Sequence, residues 1–192
     1  MTPEQVLELF SKYDAYLEGH FRLTSGLHSP HYFQCARVLQ HPAAAEKLGA
    51  DLAAKLGPLD VGTVLSPAMG GLIIGHELGR ALGVRAVFAE RRDGKMTLRR
   101  FALERGERVV VVEDVVTTGG SLLETVRMAE EAGAEVVGTC CLVDRSGDGP
   151  PPVPGLVSLV KADVVTYEPE NCPLCAQGLE LVKPGSRNVR QG

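Results

Sequence analysis

Two rhythms of hydrophobic positions divide this chain. Near the N-terminus Val6, Leu9, Phe10, Tyr13 and Leu17 recur at helical spacing. Thr2-Pro3-Glu4-Gln5 stands just before them. Thr2 can cap a helix, Pro3 suits the first helical position, and Gln5 can complete a capping box. The pattern predicts a helix closed by Gly19. Residues 20–40 lose that rhythm and mix aromatic residues with Gly26, His28, Pro30 and His31, which predicts a short antiparallel ribbon or hood. A second helix is expected from Pro42, with Leu48, Leu52 and Leu56 on one side and a stop at Gly57-Pro58.

Beyond residue 60 the rhythm changes to short apolar runs separated by amphipathic stretches. Strands are expected at 61–65, 84–90, 109–112, 136–143 and 156–160. Helices are expected at 72–82, closed by Gly83, and at 122–132, closed by Gly133. This alternation predicts an α/β fold, a central and mostly parallel sheet flanked by helices. The Gly- and Pro-rich run from Gly147 to Gly155 is the one clear irregular loop.

Composition refines this picture only slightly. The chain has 192 residues, 44% of them hydrophobic and 23% charged, which suits one domain with a true core. Its net charge of -4 supplies no global field for nucleic acid. No apolar run approaches a membrane span, and Met1 to Phe10 carry Glu4 and Glu8 rather than a signal pattern. A cytoplasmic protein without membrane or nucleic-acid partners is the expectation. Five cysteines do not form an even disulfide framework.

Candidate chemistry concentrates after the strand at 109–112. Glu113-Asp114 is followed by Val115-Val116-Thr117-Thr118-Gly119-Gly120-Ser121, which leads straight into a helix. In an open parallel sheet, ligands sit outside the carboxyl ends of the strands. Glycines let backbone N–H groups approach an anion, and a helix N-terminus favours a phosphate. Thr117, Thr118 and Ser121 add hydroxyl donors. The two acids repel that phosphate and must face a diol or a metal-bridged diol. Together they describe a ribose 5-phosphate, where a bland strand-to-helix turn would leave the acids and hydroxyls without purpose.

This run resembles the phosphoribosyl pyrophosphate (PRPP) motif of the type I phosphoribosyltransferases. The resemblance implies that Glu113 and Asp114 hold the ribose hydroxyls and that Thr117 to Ser121 hold the 5-phosphate, with Val115 and Val116 also at PRPP. Three further segments are similar to the orotate phosphoribosyltransferases. Residues 19–33, Gly-His-Phe-Arg-Leu-Thr-Ser-Gly-Leu-His-Ser-Pro-His-Tyr-Phe, match their hood over the orotate ring, which would place Tyr32 and Phe33 at orotate. The same aromatic residues would also suit a plain core ribbon. Ser66 to Leu72 resemble the pyrophosphate loop, with Gly70 where many members carry lysine. Glu90 to Arg100 fall at the mobile catalytic loop. There Arg91, Arg92 and Lys95 would engage pyrophosphate, reaching the other subunit of a homodimer. This loop lacks the histidine of longer versions, and its cations also fit a solvated hairpin.

Asp144-Arg145 stands where the family pairs an arginine with the orotate carboxylate, although a surface Asp-Arg pair would look the same. Thr117 would touch both substrates. Thr24 stands where some members have a lysine. The resemblance implies transfer of a phosphoribosyl group from PRPP to orotate, with Asp114, Glu113 and Lys95 as catalytic residues. Mg²⁺ would bind mainly through substrate, with no all-protein cage. One domain is expected, with helix and hood at 1–40, core at 58–160 and tail at 161–192. A transferase for another base, such as a purine, or a PRPP-sensing regulator are the competing readings.

Cys172-Pro173-Leu174-Cys175 lies outside this scheme. A zinc site needs four ligands, and the sequence around the pair offers no histidine or further cysteine. Cys172 and Cys175 therefore read as structural or incidental. Cys140 and Cys141 read as strand packing.

Overall fold

The computed structural model describes residues 1–23, 25–147, 149, 151–162 and 165–184. Thr24 falls outside them. Helix α1 (Pro3–Lys12) has the expected capping box, with Val6 and Phe10 fully buried. It stops seven residues before Gly19. Asp14 adopts a left-handed φ of 50°, Ala15 N–H donates to Phe10 O at 2.7 Å, and Asp14 N–H donates to Ser11 O at 3.1 Å. That is a Schellman stop with aspartate in place of the usual glycine. Leu17 accordingly lies not on the helix but in strand β1 (Tyr16–Arg22), opposite Tyr32 of β2 (His28–Phe33).

These two antiparallel strands form the hood, a sheet separate from the main one. Helix α2 (Cys35–Leu39) and the expected α3 (Pro42–Leu56) follow. The main sheet then begins with β3 (Thr63–Pro67), α4 (Gly71–Leu82), β4 (Arg85–Arg92) and β5 (Lys95–Thr97). It continues with β6 (Arg108–Val116), α5 (Gly120–Glu131), β7 (Glu135–Asp144) and β8 (Val157–Lys161). A short 3-10 turn and α6 (Pro173–Ala176) lie in the tail.

The strand order is β5-β4-β3-β6-β7-β8, and every pairing is parallel except β4 with β5. The chain leaves β3 toward β4 and later returns to β3's other side with β6. The switch point therefore lies between the carboxyl ends of β3 and β6, where a parallel sheet opens a crevice.

Alternation along β6 divides the core. Val110 and Val112 join Leu48, Ile74 and Leu142 on the face covered by α1 to α4. Val109 and Val111 join Leu122 and Ala129 on the face covered by α5. Cys140 and Cys141 fall one on each side and are fully buried, as packing residues. Strands buried on both faces explain the near-continuous valine run.

Leu48 on α3 is fully buried in the larger core. Leu48→Ala is expected to cost about 2–5 kcal/mol through lost transfer energy and a residual cavity. Urea denaturation should show a lower midpoint with an unchanged slope; an unchanged midpoint contradicts the packing.

Candidate active site

Two abutting cavities open at the switch point. The smaller, of about 360 Å³, is lined by Glu113, Val115, Val116 and the run Thr117 to Ser121, with Arg91 and Glu124 at its edge. The larger, of about 950 Å³, is bounded by hood residues Tyr32 and Phe33, by Met69 and Gly70, and by Asp114 and Arg145. Val115, Thr117 and Thr118 border both cavities. A ligand with a phosphate in one and a ring in the other would thus cross a shared wall.

The phosphate side is built from backbone. Gly119 turns the chain with φ 74°, and α5 starts after it without any side-chain cap. Its first N–H groups are left for a ligand. A Cβ at Gly119 would lie 2.7 Å from Pro152, so both conformation and space demand glycine there.

Glu113 and Asp114 sit just beyond the valine run of β6. Glu113 is buried, and its carboxyl accepts from Asp114 N–H at 3.1 Å, while Asp114 accepts from Val115 N–H at 2.9 Å. Burial, reinforced by the Asp114 charge, pushes the Glu113 carboxyl up to about 9. Burial also raises Asp114, against hydrogen bonds that lower it. The pair therefore retains a proton near neutral pH.

Gly70 rests directly on this pair. A Cβ there would come within 2.5 Å of Asp114 Oδ1. The absence of a side chain, noted in the sequence as a missing lysine, is what lets the loop after β3 lie against Asp114.

Arg145 follows β7, anchored by its N–H to Val116 O at 2.7 Å. It does not pair with Asp144. Asp144 is buried and accepts instead from Ser146 N–H at 2.9 Å and Ser146 Oγ at 2.7 Å. Arg145 lies over the Phe33 ring at 5.9 Å, and its Nε is buried without a hydrogen-bond partner. Burial pulls its guanidinium below the ordinary value. A buried donor nitrogen without a partner is costly unless a ligand acceptor completes it.

Tyr32 and Phe33 behave differently. Phe33 is a buried core residue, edge-on to Phe10 at 6.1 Å, and only one edge of its surroundings reaches the cavity. Tyr32 is the more accessible wall.

The basic segment is a hairpin. Strand β4 runs to Arg92, and Asp93 (φ 50°) and Gly94 (φ 81°) make the turn into β5. Arg91 reaches the phosphate cavity but is held by Glu124, Nη2 to Oε2 at 2.5 Å, and by Gly94 O at 2.6 Å. Glu124 also accepts from Met96 N–H at 2.8 Å. Arg99 and Arg100 turn to Glu90, and Arg92 to Asp93. Arg92 and Lys95 are exposed and line neither cavity. Glu124 was not foreseen; its spacing on the helix after the motif was the only available signal.

A fourth group of functional side chains lies away from both cavities. His20 and His28 of the hood meet Cys172 and Cys175 of the tail. The sequence around the cysteines holds no further ligand because the partners come from the hood, far away along the chain.

Comparison with known proteins follows from this geometry. The phosphoribosyl transferase domain model matches residues 36–168. A protein of Desulforamulus reducens named orotate phosphoribosyltransferase is 52% identical over 190 residues, covering 98% of this chain and 100% of that protein. A protein of the same name from Chlorobium phaeobacteroides is 47% identical over 192 residues, covering 100% of both. The chain belongs to the orotate phosphoribosyltransferase family. Among solved structures, the orotate phosphoribosyltransferase of Aeropyrum pernix superposes with a TM-score of 0.63 at 27% identity, covering 81% of this chain and 93% of that one. A phosphoribosyltransferase of Corynebacterium diphtheriae, at 24% identity, reaches a TM-score of 0.69 over 83% of this chain and 95% of its own, and speaks for the fold.

The raised Glu113 carboxyl has a consequence for the ligand-free family member. A carboxyl raised on folding stabilises fully below its unfolded value of 4.5 and loses that contribution as pH climbs through about 9. Glu113→Gln removes the loss. At pH 8 it is expected to raise stability by about 2 kcal/mol, or roughly 4–8 °C in Tm, and to flatten the pH dependence. Calorimetry across pH 5–9 checks this; parallel curves for the two proteins would rule out the burial cost.

Proposed function

We propose that this chain transfers the phosphoribosyl group of PRPP to orotate, giving orotidine 5′-phosphate and diphosphate reversibly, in pyrimidine biosynthesis. The observation that carries the substrate choice is Arg145. Its Nε is buried without a hydrogen-bond partner, the half-buried side chain lines the larger cavity, and a planar fork of donors suits a carboxylate. Orotate brings a ring carboxylate; adenine and other neutral bases do not.

The 5-phosphate sits at the uncapped start of α5, among Thr117 to Ser121. The ribose hydroxyls lie on Glu113 and Asp114, with the anomeric carbon facing the larger cavity. The orotate ring nitrogen displaces diphosphate there, while positive charge grows on the sugar. A carboxylate pair beside that sugar stabilises the charge where it develops. Before binding, the pair shares a proton; hydroxyl donors and the growing cation favour its release, so the site reaches full charge in the transition state.

Mg²⁺ fits this site through substrate oxygens. Among the described residues no cluster of three carboxylates could cage it, and the one such group is a histidine–cysteine set unsuited to a hard cation. Glu113 and Asp114 would hold it by way of the ribose hydroxyls, where it supplies countercharge to the diphosphate. Arg91, Arg92 and Lys95 provide the remaining positive charge. Arg92 and Lys95 are exposed and line neither cavity of their own chain, which leaves them free to act across a homodimer, on the partner's site. The chain works as one domain in the cytoplasm, with hood at 1–40, core at 58–160 and tail at 161–192.

A panel of bases with PRPP tests the substrate. Orotate should release diphosphate in a Mg²⁺-dependent manner, and adenine and hypoxanthine should not. Arg145→Gln is expected to raise the KM for orotate by about 100-fold, near 2.7 kcal/mol, with little change for PRPP. An unchanged orotate KM would falsify the role of Arg145.

The shared loop makes a separate prediction. Asp114→Asn and Lys95→Ala should each be nearly inactive alone. Unfolded together and refolded, they should regain about a quarter of wild-type activity, because half the dimers then hold one intact site. No recovery on mixing means that Lys95 serves its own subunit.

A further inference from the structure

The tail beyond β8 poses a physical problem. Among the described residues from 165 to 184, Cys172 is the only buried one, while Leu179, Leu181 and Val182 are exposed. Hydrophobic burial cannot hold this segment in place. Yet it is bound to both edges of the hood. Val182 N–H donates to His20 O at 2.8 Å and Arg22 N–H to Val182 O at 2.8 Å. On the other edge His28 and Tyr167 exchange two hydrogen bonds, each of 2.9 Å. An additional fastening is required, and the side chains at the centre of this arrangement supply one.

We propose that His20, His28, Cys172 and Cys175 bind one zinc ion, which pins the C-terminal tail across the hood. One ligand atom from each lies within 4.8 Å of every other. Zinc at ordinary bond lengths in a tetrahedron spaces two nitrogens about 3.3 Å apart, nitrogen and sulfur about 3.6 Å, and two sulfurs about 3.8 Å. Here His20 Nε2 and His28 Nδ1 are 3.0 Å apart. Cys172 Sγ is 3.5 Å from His20 Nε2, and Cys175 Sγ is 3.7 Å from His20 Nε2 and 3.3 Å from His28 Nδ1. These four of a tetrahedron's six edges lie close to the ideal values, and the remaining two are within 4.8 Å.

The surroundings fit as well. His20 Nδ1 lies 2.9 Å from Leu179 O. A carbonyl can only accept, so the proton is on Nδ1 and the Nε2 lone pair points into the cluster. An orienting hydrogen bond of this kind is usual behind a metal-bound imidazole. Two imidazoles and two thiolates form a neutral complex with a divalent ion, so burial of His20, His28 and Cys172 carries no net charge penalty. Four protein ligands leave no open position, which makes the site structural rather than catalytic. The cluster joins residues 147 to 155 positions apart, so closing it fastens the two ends of the chain together.

Two other states of the same residues compete. One is a Cys172–Cys175 disulfide, and the other is a metal-free hydrogen-bonded cluster. Elemental analysis of the full chain, purified without chelator or affinity tag, should give about one zinc per chain. Cys172→Ser/Cys175→Ser should carry none. Cobalt(II) added to the metal-stripped wild-type chain should produce intense tetrahedral bands and a thiolate charge-transfer band, a readout that does not rely on the variant folding. Metal removal should lower Tm by about 5 °C and expose two thiols to titration. The proposal is overturned if the wild-type chain neither holds zinc nor takes up cobalt. It is equally overturned if the double variant keeps its zinc, or if intact mass shows the two-hydrogen loss of a disulfide.

Discussion

Two neighbouring carboxyl groups at the end of a buried strand cannot both be ionised while their site is empty. Glu113 and Asp114 inherit their burial from the valines that precede them on β6, since a strand packed on both faces ends in a dry place. Their protonation follows from that burial. The elements around them make room without neutralising them. Gly70 has no side chain to shield Asp114, and no cation among the described residues pairs with either acid. The result is a site that retains a proton when empty.

Arg145 is the counterpart across the larger cavity. Tyr32 and Cys35 feel the charges of both Arg145 and Asp114, so the two groups belong to one electrostatic neighbourhood. A salt bridge between them would satisfy both and abolish the site. Separate anchoring prevents it. The backbone of Arg145 is tied to Val116 O, and the aspartate beside it is fully engaged with Ser146. Each group is thereby left open to a ligand that complements its charge. Preorganisation of this kind costs stability in the empty protein and is recovered on binding.

The parallel core and the loop that lines the smaller cavity could be read from sequence because their signals are local. Valine runs, Gly83 and Gly133, and the acid-then-glycine loop each carry their meaning within a few residues. What escaped was either atypical or distant. The first helix was extended to Gly19 because its true stop uses Asp14 in the left-handed region, a position where glycine is the familiar marker. The basic segment had two readings, a solvated hairpin and a mobile loop, and the Asp93-Gly94 turn gives the hairpin. Arg145's isolation was invisible, since adjacency to Asp144 in sequence suggests a pair that the fold directs elsewhere. The histidine–cysteine cluster could not be assembled at all, because no local pattern links His20 to Cys175.

These distant contacts bear on how the base side of the site is held. The phosphate side stands on the main sheet, whose strands are buried and mutually bonded. The hood is a separate two-stranded ribbon, and a ribbon of that size is marginal alone. Phe33 against Phe10 roots one end of it in the core. The other end, near His20 and His28, is hydrogen-bonded to the tail. Backbone bridges from Val182 and Tyr167 extend the ribbon on both edges, and they persist only if the tail itself is fixed. Tyr32 lies between these two anchorages, so its position over the cavity depends on both. The rigidity of the ring site is thus set partly by residues that never meet a substrate, and a change in the tail would act first on the affinity for the base, not on the phosphate.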